Sequence, residues 1–320
     1  MTMRRLLPIL LAALSASSPV LAQSVAAPPP DPTTTRVYDI LVQGLSNSQI
    51  AQQFATSLGQ PAPGRKLAAW RNPICVGAIG MRGDPARAMI DRVSDWGHSF
   101  GLRIGGPGCK PNILIIAAEN GDEAALSLAA THRRVFHTGT SGTTAGTAAL
   151  RSFQTSGRPI RWWYNSMPIN ADTGKPAVRV RGQDPFSAGE IRTPADVGPY
   201  GVIVQPSLLR DETRDDLRQV LIIVENTALD QADFMQVADY VAMVALAQIS
   251  PDVSPPTASI LQLFDVDKAQ TSTLTHWDRA YLQAVYASPQ DKASRGANEA
   301  TLASTLLGIV ERGTEQNTPD

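Results

Sequence analysis

Histidine is the residue type that most often combines metal binding with acid–base chemistry, and this chain has four: His98, His132, His137 and His276. A zinc site built on one helix needs two histidines four residues apart, so that both imidazoles reach one ion, and a neighbouring glutamate that activates the bound water. No two of these histidines have that spacing; His132 and His137 are five residues apart. We therefore expect no metal and no cofactor, with His276 in the first turn of a helix.

Three consecutive aromatic residues, Trp162, Trp163 and Tyr164, lie in the run from Ile160 to Asn165, whose β-branched and aromatic character is typical of a strand. Such rings can stack on a ligand, for example on a sugar. Neighbouring side chains of a strand face opposite sides, however, so one tryptophan is expected in the core. At best the other tryptophan lines a cleft, and all three residues are candidates for its lining.

The segment from Asp230 to Ile249 predicts a helix that is apolar on most of its circumference, which is typical of a helix buried at the centre of a domain. We interpret Asp230 as its N-cap and Asp233 as a favourable first-turn charge. Asp239 and Tyr240 are further candidates for the cleft. The segment contains no His, Glu or Cys, so it offers little of the usual chemistry of a metal site.

The segment from His137 to Thr147 is rich in glycine and threonine. Its backbone amides could hold an anion, although it lacks the Gly-Lys-Ser/Thr sequence of a phosphate-binding loop. We interpret it as a surface loop, with an anion site as the alternative.

The first 22 residues predict a secretory signal peptide, because Arg4 and Arg5 precede an apolar run that ends in the small-residue cleavage site Val20-Leu-Ala22. A lipoprotein or a retained anchor is the alternative, but no cysteine follows the cleavage site and the apolar run is too short to span a bilayer. We therefore expect a periplasmic or secreted protein without stable membrane insertion after cleavage.

Two cysteines, Cys75 and Cys109, border predicted strands with a predicted helix between them. In an exported chain this arrangement favours a disulfide bond, the alternative being two unrelated buried thiols. Closing a loop of this length stabilises a fold by about 3–4 kcal/mol in the chain-entropy model.

The rest of the chain predicts one domain, because strand-like and helix-like segments alternate without a separating linker. This alternation predicts an α/β (α+β) fold, a mixed sheet with packed helices, a buried central helix at about 230–249 and a helical C-terminus. The predicted organisation is a signal peptide at 1–22, a disordered leader at 23–35, the domain at 36–313 with a polar insertion at about 167–218, and a tail at 314–320. The predicted strands are 37–42, 74–79, 112–117, 160–165, 201–205 and 219–225, and the predicted helices are 46–58, 85–100, 122–136, 230–249, a helix that begins after Thr275, and 298–312.

The overall composition excludes one class of partner. The chain has a net charge of −1 and a pI near 6.4. Without an excess of positive charge there is no electrostatic attraction to phosphate backbones, so we expect no nucleic-acid partner.

Several motifs in the second half follow one another in a familiar order: the strand and apolar helix above, then Ser259-Ile-Leu-Gln-Leu-Phe264, then Leu274-Thr-His-Trp-Asp-Arg-Ala-Tyr-Leu-Gln-Ala-Val-Tyr286. Upstream lies Cys109-Lys-Pro-Asn-Ile-Leu-Ile-Ile116. In this order, across about 71–287, the chain resembles a family of exported bacterial proteins with a zincin-like, metallopeptidase-like fold. In family members that keep the pattern, the central helix carries a His-Glu metal motif. Here Ala, Asp and Tyr occupy those positions, 238–240, so the resemblance implies a fold that has lost its metal site.

Three hypotheses about function follow. We favour a non-catalytic, zincin-like domain that binds a polypeptide or another component of the cell envelope, because the metal ligands are missing. One alternative is a hydrolase whose active site the sequence does not reveal, for example one that uses carboxylates of the insertion. The other is a structural or assembly protein of the envelope.

Overall fold

A mixed sheet of four strands runs through the part of the chain that the computed structural model describes, residues 45–138, 142–177, 212–265, 267, 271–289, 292 and 294–315. The strands are β1 (Val76–Ile79), β2 (Ile113–Ala118), β3 (Ile160–Asn170) and β4 (Thr213–Glu225), in the spatial order β1-β2-β4-β3. β1, β2 and β4 are parallel, and β3 pairs antiparallel with β4 at one edge. The predicted signal peptide, the leader and the predicted strands at 37–42 and 201–205 lie outside the described residues.

Helices pack on both faces of this sheet, which confirms the predicted mixed α/β fold with a helical C-terminus. No helix in the described part of the chain has the length and apolarity needed to cross a bilayer. The helices are α1 (Asn47–Ser57), α2 (Asp84–Ser99), α3 (Gly121–Thr131), α4 (Arg133–Phe136), α5 (Thr147–Thr155), α6 (Thr227–Gln231), α7 (Phe234–Leu246), α8 (His276–Ala287) and α9 (Arg295–Glu315), and a short 3-10 helix spans Ile260–Gln262.

The alternating side chains of the strands separate two hydrophobic clusters, one on each face of the sheet. On one face, Ile113, Trp162 and Ile222 belong to a large cluster that also contains α7. On the other face, Trp163 and Leu221 belong to a smaller cluster with residues of α3 and α5. The prediction that neighbouring tryptophans of the strand face opposite sides is therefore confirmed.

β3 and β4 are longer than the sequence pattern predicts, because their outer parts bury polar residues. β3 continues to Asn170 and β4 begins at Thr213, so both ends of the predicted insertion at 167–218 are paired strand. The buried carboxylate of Asp215 accepts hydrogen bonds of 2.7 and 2.9 Å from the guanidinium of Arg65. Burial raises the pKa of Asp215, and the neighbouring Arg65 offsets only part of that rise. Residues 178–211 lie outside the described part of the chain.

α7 is the buried central helix that the apolar pattern predicts. Every residue from Val237 to Leu246 is buried, and Val241 and Val244 have no exposed surface. The helix packs between α2 and the sheet, so its whole circumference contacts protein. Burial on all sides is what an unbroken apolar circumference requires.

The starts of two helices differ from the prediction. α6 ends at Gln231, and Asp233 is the N-cap of α7, with its backbone N–H donating to Gln236 Oε1 at 3.0 Å. Asp230 lies inside α6, so its predicted role as the N-cap is wrong. α2 begins one residue earlier than predicted, at Asp84, and its N-cap is Gly83. Asp230 and Asp233 both fit a capping pattern, and the local pattern does not choose between them.

The predicted disulfide is present between Cys75 and Cys109, whose Cα atoms are 6.1 Å apart. Cys75 directly precedes β1, and Cys109 lies in the loop between α2 and β2. The loop packs tightly here, since a Cβ atom on Gly105 would lie 2.8 Å from Cys109 Sγ. The bond therefore holds this loop against the start of β1.

Candidate functional site

The C-terminal end of α7 lies inside the core, where its last carbonyl groups cannot reach water. The hydroxyl of Tyr164 shares its one proton between the carbonyls of Val244 and Ala247, at 2.6 and 2.8 Å, and accepts from the backbone N–H of Ile249 at 3.1 Å. Burial raises the pKa of Tyr164 well above its usual value, so the hydroxyl stays neutral. Tyr164 of β3 therefore acts as a cap for the buried helix end.

Three further aromatic side chains, from separate parts of the chain, donate to neighbouring carbonyls. Buried Trp and Tyr residues generally find such a partner for their polar atom. Together these contacts leave the end of α7 satisfied without water. They are Trp70 Nε1 to the Ala245 carbonyl at 2.9 Å, Trp162 Nε1 to the Ile249 carbonyl at 2.9 Å, and the Tyr286 hydroxyl to the Leu246 carbonyl.

Tyr164→Phe is expected to lower the free energy of unfolding by about 2–4 kcal/mol, because each buried polar group left unsatisfied costs roughly 1–3 kcal/mol. The matched control is Tyr281→Phe. Tyr281 is equally buried, but its hydroxyl has no hydrogen-bond partner among the described residues, so its removal should be neutral or stabilising. Urea unfolding of both variants checks the difference, and equal losses in the two would contradict the capping role.

The other aromatic candidates for a cleft are also interior. Trp163 packs against Phe136 and Phe153, with ring centroids 5.5 and 6.0 Å apart. Tyr240 packs against Trp162 and Phe264, at 6.0 and 5.4 Å, and burial raises its pKa. All five candidates, Asp239 included, are at most 7% exposed. The structure thus brings Trp162, Tyr164 and Tyr240 together in the core and places Trp163 on the opposite face.

Asp239, at the middle of α7, forms a buried ion pair with α2. Arg92 donates to both carboxylate oxygens, from Nε to Oδ1 at 2.5 Å and from Nη2 to Oδ2 at 2.8 Å. The indole Nε1 of Trp96 donates to Oδ1 at 2.6 Å, and Arg92 Nη2 also donates to Thr273 Oγ1 at 3.2 Å. The carboxylate itself is completely buried. Both of its oxygens are therefore occupied by donors from α2.

Arg92 connects this buried carboxylate to the surface. Its side chain is 29% exposed, and its guanidinium lies 5.1 Å from the ring centroid of Trp96. The hydrogen bond from Arg92 to Asp239 raises the pKa of the guanidinium further, against the lowering by burial. A charge that is held by a bidentate contact and an aromatic face is a rigid structural group. In this arrangement each oxygen of Asp239 already accepts a hydrogen bond from α2.

The four histidines do not converge on one another. His276 is the first residue of α8, as predicted, and burial lowers its pKa, with the neighbouring Arg279 lowering it further. His132 Nδ1 lies 2.8 Å from Thr131 Oγ1 beyond the end of α3. Across the described ranges no three His, Cys, Asp or Glu side chains come together as ligands for one ion.

A shallow depression of about 450 Å³ lies beside the glycine- and threonine-rich segment. α5 begins there at Thr147, after Gly146, without a side-chain cap. Residues 139–141 of the same segment lie outside the described part of the chain. The lining offers hydroxyl groups and one imidazole, from residues that include His137, Thr138, Thr143, Thr144 and Thr147.

β1 is the edge strand opposite β3, and part of its outer side is unpaired within the described residues. The N–H of Ile113 donates to the carbonyl of Cys75 at 3.0 Å. In a parallel ladder this contact turns the polar groups of Cys75 and Gly77 toward β2 and those of Val76 and Ala78 away from it. No described residue bonds the outward N–H and C=O groups of Val76 and Ala78. Within the described part of the chain, this edge therefore offers a short row of backbone donors and acceptors without partners.

Sequence reasoning missed the partners of Asp239. Two signals point to them: a carboxylate in the middle of an apolar helix needs a cation nearby, and Arg92 and Trp96 are four residues apart on one face of α2. Neither signal specifies that α2 packs against α7.

Comparisons with known protein families, with curated proteins and with solved structures find no match to this chain.

Proposed function

We propose that this chain is an exported, non-catalytic, zincin-like domain that binds a polypeptide or another component of the cell envelope. The order of motifs in the second half of the sequence supports the zincin-like part. The disulfide is compatible with the oxidising compartment that export implies. The observation that carries the non-catalytic part is the closed ion pair of Asp239 with Arg92.

The ion pair occupies the helix positions at which the resemblance expects a metal motif. Ala238 and Ala242 on the same helix are fully buried and offer no ligand atoms. A metal ion needs several deprotonated ligands to replace its bound water. Asp239 could supply one only by releasing Arg92 and Trp96, which would leave a guanidinium and an indole without their acceptor.

The binding part rests on the outer side of β1. An exposed strand edge binds an extended chain through main-chain hydrogen bonds, which is one of the recurring modes of peptide recognition. Val76 and Ala78 offer such groups without a partner among the described residues. A polypeptide is therefore the component that this surface fits.

The proposal predicts that the purified, disulfide-bonded protein binds an unstructured polypeptide without cleaving it. With fluorescein-labelled casein as the probe, anisotropy should rise on binding, and electrophoresis should show intact casein after long incubation. Zinc should be far below one ion per chain after dialysis. A chelator should change neither the melting temperature nor the binding, since no step depends on a metal.

A parallel sample incubated with zinc before dialysis is the control for metal lost in purification. Stoichiometric zinc, with stability lost on chelation, would contradict the non-catalytic part. Cleavage of casein would favour the hydrolase alternative, and intact but unbound casein would remove the support for polypeptide binding.

A further inference from the structure

We propose that the outer side of β1 binds an extended, acidic polypeptide segment as an added strand, with Val76 and Ala78 as its main-chain partners. This inference rests on the proposed function and specifies its binding surface. It follows from the pairing pattern of β1, from the way the preceding segment of the edge is closed, and from the charges at both ends.

The outer side of the edge is paired at Ile74, before Val76, but among the described residues it is not paired at Val76 and Ala78. The backbone N–H and C=O of Ile74 point away from β2, like those of Val76 and Ala78. The N–H donates to the Arg103 carbonyl at 2.9 Å, and the C=O accepts from the Gly105 N–H at 2.7 Å. The segment around Ile104 therefore pairs as a single parallel bridge and then turns away through a glycine-rich loop. Among the described residues, the outward ladder position is filled at residue 74 and has no partner at residues 76 and 78.

The disulfide fixes the point at which the loop stops pairing with the edge. Cys109 ends the loop that leaves the edge, and its bond to Cys75 holds the loop beside the start of β1. The loop consequently cannot move along the edge to pair with Val76 and Ala78. A covalently anchored segment thus borders the two N–H and two C=O groups that no described residue bonds.

β1 is protected as an edge strand by its shortness alone and carries no protective side chain or bulge. Natural edges are commonly protected by lysine, proline or a bulge, whereas β1 reads Val-Gly-Ala-Ile and pairs with β2 in regular register. Its last residue, Ile79, is 53% exposed. An added strand with an apolar residue opposite Ile79 would cover this side chain. The shortness of β1 limits the added strand to about four residues, since strands rise roughly 3.3 Å per residue.

The charges around the edge select an acidic partner. Arg103 is exposed and lies beside Ile74 at the start of the edge, and Lys110, also exposed, follows the disulfide-bonded Cys109. Arg82 is exposed just beyond the end of β1, and no described residue forms an ion pair with it. The nearby Asp84 is already engaged by Arg87. Carboxylates at both ends of an added strand would therefore meet cations, which favours encounter as well as orientation.

The test uses a fluorescein-labelled peptide of alternating valine and threonine with a glutamate pair at each end. A peptide with lysine pairs in their place is the matched control for charge. We expect the glutamate peptide to bind at least tenfold more tightly, with the difference reduced in high salt. Hydrogen exchange should show new protection of the Val76 and Ala78 amides when the glutamate peptide is bound, and no change at Gly77, which already bonds to β2.

Ala78→Pro removes an outward N–H without removing any hydrogen bond of the folded chain, and Ala78→Val keeps that N–H. The proline variant should bind at least tenfold more weakly, and the valine variant should bind like the parent protein. Peptides methylated on alternate backbone nitrogens provide the same test on the unaltered protein: methylation of the positions facing β1 should abolish binding, and methylation of the other positions should not.

Equal binding by Ala78→Pro, or protection elsewhere than Val76 and Ala78, would contradict the edge site. If casein still binds to Ala78→Pro with unchanged affinity, the protein binds polypeptide at another surface, so the proposed function stands without its β1 site and this inference fails. If neither casein nor the glutamate peptide binds the parent protein, both fail. A concentration-dependent dimer that Ala78→Pro dissociates, without peptide binding, would show that the edge pairs with a second copy of the chain and would also overturn the proposal.

Discussion

Val244→Asp is expected to leave the domain unfolded under native conditions. Val244 has no exposed surface and lies in the large hydrophobic cluster around α7. Keeping a carboxyl group neutral in such a site requires its pKa to rise by as much as 3–5 units, which costs about 4–7 kcal/mol. Lost packing of the valine adds roughly 2 kcal/mol. The sum approaches the whole stability of a typical domain, about 5–15 kcal/mol.

Two control variants separate the buried charge from other effects. Val244→Ala removes methyl groups without adding a charge and should lower the free energy of unfolding by roughly 2 kcal/mol. Met235→Asp adds the same charge to the same helix at a residue that is 45% exposed, so its effect should stay within about 0.5 kcal/mol. Far-UV circular dichroism and thermal melting distinguish these outcomes. A Val244→Asp protein that melts like the parent would show that this side of α7 is exposed.

The burial of α7 could be predicted because it follows from a local property. A helix whose apolar residues surround its axis has no face to offer water, wherever its neighbours come from. The first residue of the same helix could not be predicted from the local sequence. Asp230 and Asp233 are both good capping residues, and only the short separate helix α6 decides in favour of Asp233.

The ends of β3 and β4 could not be predicted from the sequence, for a different reason. Asn170 and Asp216 are buried in paired strand, although their side chains are of the kind that normally marks a loop. Arg214, two residues before Asp216, pairs with it at 2.9 Å and makes its burial tolerable. Sequence patterns identify strands through apolar alternation, so strands that bury satisfied polar groups are underestimated.

The partners of the candidate site depend on long-range packing. Arg92 and Asp239 are 147 residues apart in the chain, and the residues between them form most of the sheet. The disulfide is also a long-range contact, yet it was predictable because only two cysteines are available to pair. Asp239, in contrast, could pair with any of many arginines, so the sequence does not identify its partner.

Arg92→Met is expected to lower the free energy of unfolding by about 3–5 kcal/mol, because removing one partner of a buried ion pair leaves the other charge uncompensated. Asp239 has no exposed surface, and only the indole of Trp96 would remain as its donor. The double variant Arg92→Met with Asp239→Leu removes both charges and should recover most of the loss, since apolar pairs of similar size often replace buried ion pairs without cost.

The matched control lies on the same helix. Arg87 also pairs with an aspartate, Asp84, but both side chains are exposed, at 72% and 91%. Exposed ion pairs contribute little, so Arg87→Met should change the stability by less than about 0.5 kcal/mol. Urea unfolding of the parent protein, Arg92→Met, Asp239→Leu and the double variant gives the coupling between Arg92 and Asp239 directly. If Arg92→Met were as mild as Arg87→Met, the carboxylate of Asp239 would have to reach water, and the closed helix position on which the non-catalytic proposal rests would be open.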